Sequence, residues 1–261
     1  MPTRRAVLVA SAGLTGAALT AAVGWRAGSS LVTNPEPWVP DDPEGVVRLE
    51  RIRSIAMGGD VDLFTAVPHG FGDGNGLPVV VVLHGASASA RELREFGLGR
   101  FVTAAVRAGT PPFVLAGTDD GPVGWTPAGG VDPSAMLRDE LPGWLEQRGF
   151  AARRRALWGW SRGGYGALAF AAENPRWAGS LALFSPALGE DDALLAWLGS
   201  LDRLPVGLWC GEDDSFVAGT RAVADALPTR PEVEVFEPGG HTRVFWNDHT
   251  LAAFDWLASH L

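Results

Sequence analysis

Lysine is missing from this 261-residue chain, so all 21 basic side chains are arginines, and they face 30 carboxylates for a formal net charge of −9. No basic cluster occurs in the part that reads as folded. That excludes nonspecific nucleic-acid binding, which needs a cationic face to displace counterions from phosphates. Cysteine is nearly missing too: Cys210 stands alone, which excludes an intramolecular disulfide. It closes an apolar strand-like run and reads as a small buried hydrophobe, not a reactive thiol. No cysteine near the N-terminus offers a lipid attachment point, and no internal repeat is present. What the chain does have is apolar material, 46% of residues, enough for the core of one α/β domain.

The N-terminal stretch opens with Thr3-Arg4-Arg5-Ala6-Val7-Leu8 and continues weakly hydrophobic to about Trp25. It resembles a twin-arginine export signal over residues 1–27, with Ala22-Val23-Gly24 as small residues for cleavage. The alternative is a retained anchor, since the run approaches the ~20 residues that span a bilayer. Either reading places the remainder outside the cytoplasm, in the extracellular space or cell envelope. Serines and prolines then mark residues 28–45 as an extended linker, and residues 46–261 as the folded domain.

Within that domain short apolar runs predict strands at Val46 to Ile55, Val61 to Val67, Val79 to Leu83, Pro112 to Ala116, Arg155 to Trp160, Ser180 to Phe184, Val206 to Cys210 and Val233 to Phe236. Helical spacing falls between them: Arg91 to Phe96, Phe101 to Ala108, Pro133 to Gln147, a run after Ser161, one around Ala193 to Leu198, and a last helix near Asp248 to Leu261. Such alternation predicts an α/β fold with a mostly parallel sheet covered by helices on both faces. The Gly72-Asp73-Gly74-Asn75-Gly76 segment reads as a hairpin turn, because no downstream glutamate completes a calcium loop. No metal site and no cofactor is implied.

Gly159-Trp160-Ser161-Arg162-Gly163 is the most informative segment. A G-x-S-x-G between a strand and a helix reads as a nucleophile elbow, in which a sharp turn exposes the serine oxygen beside a helix N-terminus. In a chain with 34 glycines the motif gains weight only from its surroundings. A serine hydroxyl needs a histidine base oriented by a carboxylate. After the elbow the chain supplies Gly211-Glu212-Asp213-Asp214-Ser215-Phe216 beyond one strand, then Gly239-Gly240-His241-Thr242 beyond the next. Loops at strand C-terminal ends are where open α/β sheets bind ligands.

Together with Leu83-His84-Gly85-Ala86 and Phe245-Trp246, these segments resemble the esterase branch of the α/β-hydrolase fold: esterase D, feruloyl esterases and secreted mycolyltransferases. The likeness runs from about Val79 to Leu261. It implies Ser161 as nucleophile, His241 as base and Asp214 as acid, with the backbone N–H groups of Ala86 and Arg162 as an oxyanion hole. Glu212 and Asp213 compete with Asp214, and His249 with His241. His84 reads as structural; His69 and His260 read as turn and terminal residues. Arg162 departs from the small or apolar residue usual after the family serine; an outward-pointing salt bridge is the first expectation for its guanidinium, and the alternatives are a pairing with Asp119 or Asp120 near the site or a preference for an anionic substrate.

Only Ser185 to Pro205 lies between the strand after the elbow and the strand bearing the acid, so no large lid fits. An open site for short acyl chains, or for the exposed ester of a small or envelope molecule, is expected, lined by Trp125, Trp160 and Trp246. The function expected is an exported serine esterase. The alternatives are an acyltransferase that hands the acyl group to a sugar or glycolipid hydroxyl, and a noncatalytic envelope-binding protein on the same fold.

Overall fold

The computed structural model describes residues 36–261. The chain runs through β1 (Val46–Ser54), β2 (Gly59–Val67), β3 (Val79–Leu83), α1 (Glu92–Glu95), α2 (Leu98–Arg107), β4 (Val114–Thr118), α3 (Pro133–Ala135) and α4 (Leu141–Glu146). It continues with β5 (Arg155–Trp160), α5 (Arg162–Glu173), β6 (Leu181–Phe184), β7 (Val206–Gly211), α6 (Val217–Ala226), β8 (Val233–Glu237) and α7 (Arg243–Ala258). All eight strands form one sheet in the order β1-β2-β4-β3-β5-β6-β7-β8. β2 is antiparallel to both of its neighbours; the other neighbouring strands are parallel.

The period of two in a strand divides its side chains between two cores. Val79, Val81 and Leu83 of β3, with Leu157 of β5, face the layer that holds Leu141, Leu145, Ala167, Leu168 and Val223. Val80 and Val82, with Ala156, Trp158 and Trp160, face the opposite layer, built on Phe101, Val102, Phe254 and Leu257. Both layers bury large rings: Trp158 meets Phe254 edge-on at 5.1 Å, and Phe170 meets Trp177 at 4.9 Å. The sheet is therefore covered on both faces, and its strand tips are left to build a site.

Three expectations change. The Gly72–Gly76 segment does not close a hairpin, because β4 lies between β2 and β3 in the sheet. A single helix over Pro133 to Gln147 is replaced by α3, a π turn at Met136–Glu140, and α4. Pro142 is the cause: it lacks an N–H, and its ring collides with the carbonyl four residues back, so the helix widens and Leu141 N–H bonds to Met136 O instead. The signal or anchor at 1–27, and the first part of the linker, lie outside the described residues. The last ten residues of that linker, 36–45, are packed on the domain. Pro40 is buried, Val39 joins the second core, and Trp38 meets Phe101 edge-on at 5.5 Å.

Asn247 of α7 holds this segment, donating from Nδ2 to the Trp38 carbonyl at 2.7 Å. Asn247→Ala removes the donor for that carbonyl and is expected to cost about 1–2 kcal/mol in urea unfolding, with faster proteolysis within residues 36–45. Unchanged stability and cleavage would show that the segment is not anchored there.

Candidate active site

Ser161 stands between β5 and α5 at φ 55°, ψ −125°, in the positive-φ region that side chains avoid. Its neighbours hold it there. Ser161 N–H donates to Phe184 O at 2.9 Å, while its carbonyl accepts from Tyr165 N and Ala187 N, each at 3.0 Å. The flanking glycines are required by close backbone approach: a Cβ on Gly159 would collide with the Gly163 carbonyl, and one on Gly163 with the Leu83 carbonyl. The elbow is thereby pressed against the end of β3.

A second close approach joins the other two loops. A Cβ on Gly211 would strike the Gly239 carbonyl, so the tips of β7 and β8 can come together, tied by Glu212 N–H to Glu237 O at 2.8 Å and Asp213 N–H to Gly239 O at 2.9 Å. This brings Asp214 under His241. His241 Nδ1 lies 2.9 Å from Asp214 Oδ2, and His241 Nε2 lies 2.9 Å from Ser161 Oγ. Hydroxyl, imidazole and carboxylate form one line of hydrogen bonds, in the chain order serine, acid, histidine.

The competing residues are elsewhere. Glu212 and Asp213 are exposed, whereas Asp214 is 3% exposed. His249 packs on Phe245 and faces Glu237 at 3.8 Å. Burial pushes the Asp214 carboxyl upward, but bonds from His241, from the Phe216 N–H at 2.8 Å and from Ser185, with the charge of His241, outweigh it and hold the group below the ordinary carboxylate value.

Ser185 was not among the residues singled out from sequence. It follows β6 at φ 46°, fully buried, with the Asp214 carboxylate beside its hydroxyl, and it accepts a hydrogen bond from Trp246 Nε1 at 3.1 Å. Trp246 also meets the His241 ring edge-on at 4.9 Å, and Phe216 meets the same ring at 5.0 Å. A small polar residue at the end of an apolar strand, Phe184-Ser185-Pro186, is the one signal that could have marked it.

The Gly85-Ala86 loop and the first turn of α5 complete the floor. Among the described residues neither the Ala86 N–H nor the Arg162 N–H has a backbone acceptor. The loop is fixed by His84, buried, with Nδ1 2.9 Å from Gly85 O. His84 Nε2 lies 3.8 Å from Asp120 Oδ1, and Asp120 Oδ2 lies 2.5 Å from Arg162 Nη2. Burial raises the Asp120 carboxyl above its usual value despite the opposing charges of His84 and Arg162. Arg162 is therefore spent on Asp120. Asp119 instead accepts from Asp62 N–H and Ala90 N–H, both at 2.9 Å.

An open cavity of about 370 Å³ includes Ser161 and His241 in its lining, with Gly85, Ala86, Trp160, Arg243 and Trp246. Of the three tryptophans expected to line it, Trp160 and Trp246 do. Trp125 does not: it is buried against Gly166 and donates from Nε1 to His84 O at 2.9 Å. Its role is to brace the floor loop. Among the described residues no large lid covers the cavity; the span after β6 carries only a 3-10 helix at Ala193–Leu201.

A family model described as putative esterase matches residues 54–257. Solved structures share the fold over most of the chain. A ferulic acid esterase aligns with a TM-score of 0.74 at 15% identity, covering 84% of this chain and all of the other. An S-formylglutathione hydrolase from Agrobacterium tumefaciens aligns at 0.68 and 19%, covering 84% and 96%. A ferulic acid esterase from the fungus Anaeromyces mucronatus aligns at 0.68 and 18%, covering 84% and 92%. These likenesses establish the α/β-hydrolase fold. Among curated proteins none matches the chain in sequence.

Asp214 also ties the site to acid stability. A carboxyl held below its unfolded value contributes stability that is present above that unfolded value and lost as pH falls through the folded one. The unfolding free energy of wild type is therefore expected to fall below about pH 4 more steeply than that of Asp214→Asn, so that the gap between them narrows with acid. Parallel pH profiles in chemical denaturation would contradict the depressed carboxyl.

Proposed function

The chain belongs to the esterase family whose model it matches, and from that premise we propose that it is a serine esterase acting on carboxylic esters through an acyl-enzyme. The observation that carries this reading is the unbroken line from Ser161 Oγ through His241 to Asp214, with both links at 2.9 Å.

His241 Nε2 takes the Ser161 proton as Oγ attacks the ester carbonyl carbon. The carbonyl π electrons move to oxygen, and the Ala86 and Arg162 N–H groups receive that oxyanion; one such donor is worth about 10²–10³ in rate. The tetrahedral intermediate collapses with expulsion of the alcohol, protonated by His241, and leaves the acyl group on Ser161. A water molecule, deprotonated by His241, then attacks the acyl carbon, and breakage of the Oγ–acyl bond releases the acid and restores the serine. Asp214 accepts the Nδ1–H throughout, fixing the tautomer that leaves Nε2 free to accept. Trp246 and Phe216, both packed against the imidazole, limit its rotation. None of these steps calls on a metal or organic cofactor.

The open cavity and the short span between β6 and β7 favour short acyl chains, or the exposed ester of a larger molecule, over a long chain drawn from an aggregate. The Arg4-Arg5 pair and the apolar run behind it support action outside the cytoplasm. Transfer of the acyl group to a sugar or glycolipid hydroxyl would use the same residues, and partition of product with added alcohol distinguishes it from hydrolysis.

Ser161→Ala is expected to lower kcat on a short-chain p-nitrophenyl ester by at least about 10⁴-fold and to abolish labelling by a fluorophosphonate probe. Hydrolysis or labelling that survives the substitution would assign the activity to another residue. Absence of both in wild type would favour the noncatalytic binding protein.

A further inference from the structure

Arg243, two residues beyond His241, forms part of the cavity wall. Its guanidinium lies 4.0 Å over the Phe96 ring, and the side chain is half-buried. Charged partners are abundant elsewhere in this protein. Arg48, Arg91 and Arg107 each reach a carboxylate within 2.9 Å, and Arg162 is held by Asp120. Among the described residues Arg243 has no ion pair and no hydrogen bond, and burial without a compensating charge pulls its pKa down.

Its position adds a further cost. Arg243 is the first residue of α7, where the helix field disfavours a cation, and no acidic side chain stands in that first turn to offset it. A chain of net charge −9 had many carboxylates to place beside this arginine. Packing on Phe96 accounts for the alkyl stem and one face of the guanidinium; the N–H donors along its edge remain unused. The other ionisable group on the cavity wall is His241, whose Nε2 is engaged by Ser161.

We propose that Arg243 is a specificity residue that binds a carboxylate carried by the ester substrate. The inference rests on the esterase reading and narrows it to anionic esters. A guanidinium edge pairs with a planar carboxylate through two parallel hydrogen bonds, and a single arginine with no second cation on the wall matches a monoanion better than a phosphate. The protein's negative net charge repels an anionic substrate at long range, so selection depends on this local contact. Arg162, the residue with which the sequence suggested such selectivity, is not on the cavity wall, and its guanidinium is turned to Asp120.

The test uses two matched pairs: p-nitrophenyl hemiglutarate against its methyl-capped diester, with the charge on the acyl side, and 4-acetoxybenzoate against its methyl ester, with the charge on the alcohol side. Wild type is expected to favour the charged member of one pair in kcat/KM, and which pair it is assigns the side. Arg243→Met, which keeps an apolar stem over Phe96, is expected to reduce that preference roughly ten-fold or more, chiefly through KM, while Arg243→Lys restores part of it. A ratio unchanged by Arg243→Met in both pairs overturns the proposal. Calorimetric titration of Ser161→Ala with monomethyl glutarate separates the two claims. Binding that Arg243→Met abolishes, in a protein that hydrolyses nothing, removes the esterase reading and keeps this one. Hydrolysis with no Arg243-dependent binding or preference does the reverse.

Discussion

The site depends on backbone segments that touch where no side chain can intervene. Gly163 lets the elbow press on the end of β3, and Gly211 lets the acid loop meet the histidine loop at Gly239. Without these approaches, Ser161, His241 and Asp214, which lie on three separate strand tips, could not share hydrogen bonds of 2.9 Å. The positive φ of Ser161 is a consequence of the same compression. It costs of order 1–3 kcal/mol, and it persists because the Ser161 amide and carbonyl are both hydrogen-bonded to neighbouring segments.

Around that contact the protein arranges charge in two ways. Behind the imidazole, Asp214 is buried but ionised, since His241, the Phe216 N–H and Ser185 together outweigh the desolvation. Beneath the floor loop, Asp120 is buried with its carboxyl raised, between His84 and Arg162. The first carboxylate orients a group that can move a proton. The second lies between His84, whose ring is bonded to the Gly85 carbonyl, and Arg162 at the start of α5. Arg243, outside both arrangements, is the cation left to face the cavity.

Much of this was legible before any coordinates. Five consecutive β-favouring apolar residues, Val79–Leu83, read as a strand covered on both faces. The glycines around Ser161 and before Asp214 and His241 marked the loops, because each is needed where backbones meet. Other features depend on contacts between distant segments. Trp125 reads like its neighbours Trp160 and Trp246 until Gly166 and His84 are seen to enclose it. Residues 36–45 have a linker's composition, yet Asn247, some two hundred residues later, captures them. Ser185 has no motif, and its place beside Asp214 follows from the β6–β7 register. Pro142 was visible, but a single proline near a helix start is compatible with a regular turn as well as with the π turn it makes here.

The central claim is that Ser161 carries the acyl group between two half-reactions. Mass spectrometry of the protein quenched in acid within the first turnovers of p-nitrophenyl acetate tests it directly. The account predicts one added acetyl group, located on the peptide containing Ser161 and absent from Ser161→Ala. An acetyl group on any other residue, or p-nitrophenol release by Ser161→Ala at the wild-type rate, would contradict it.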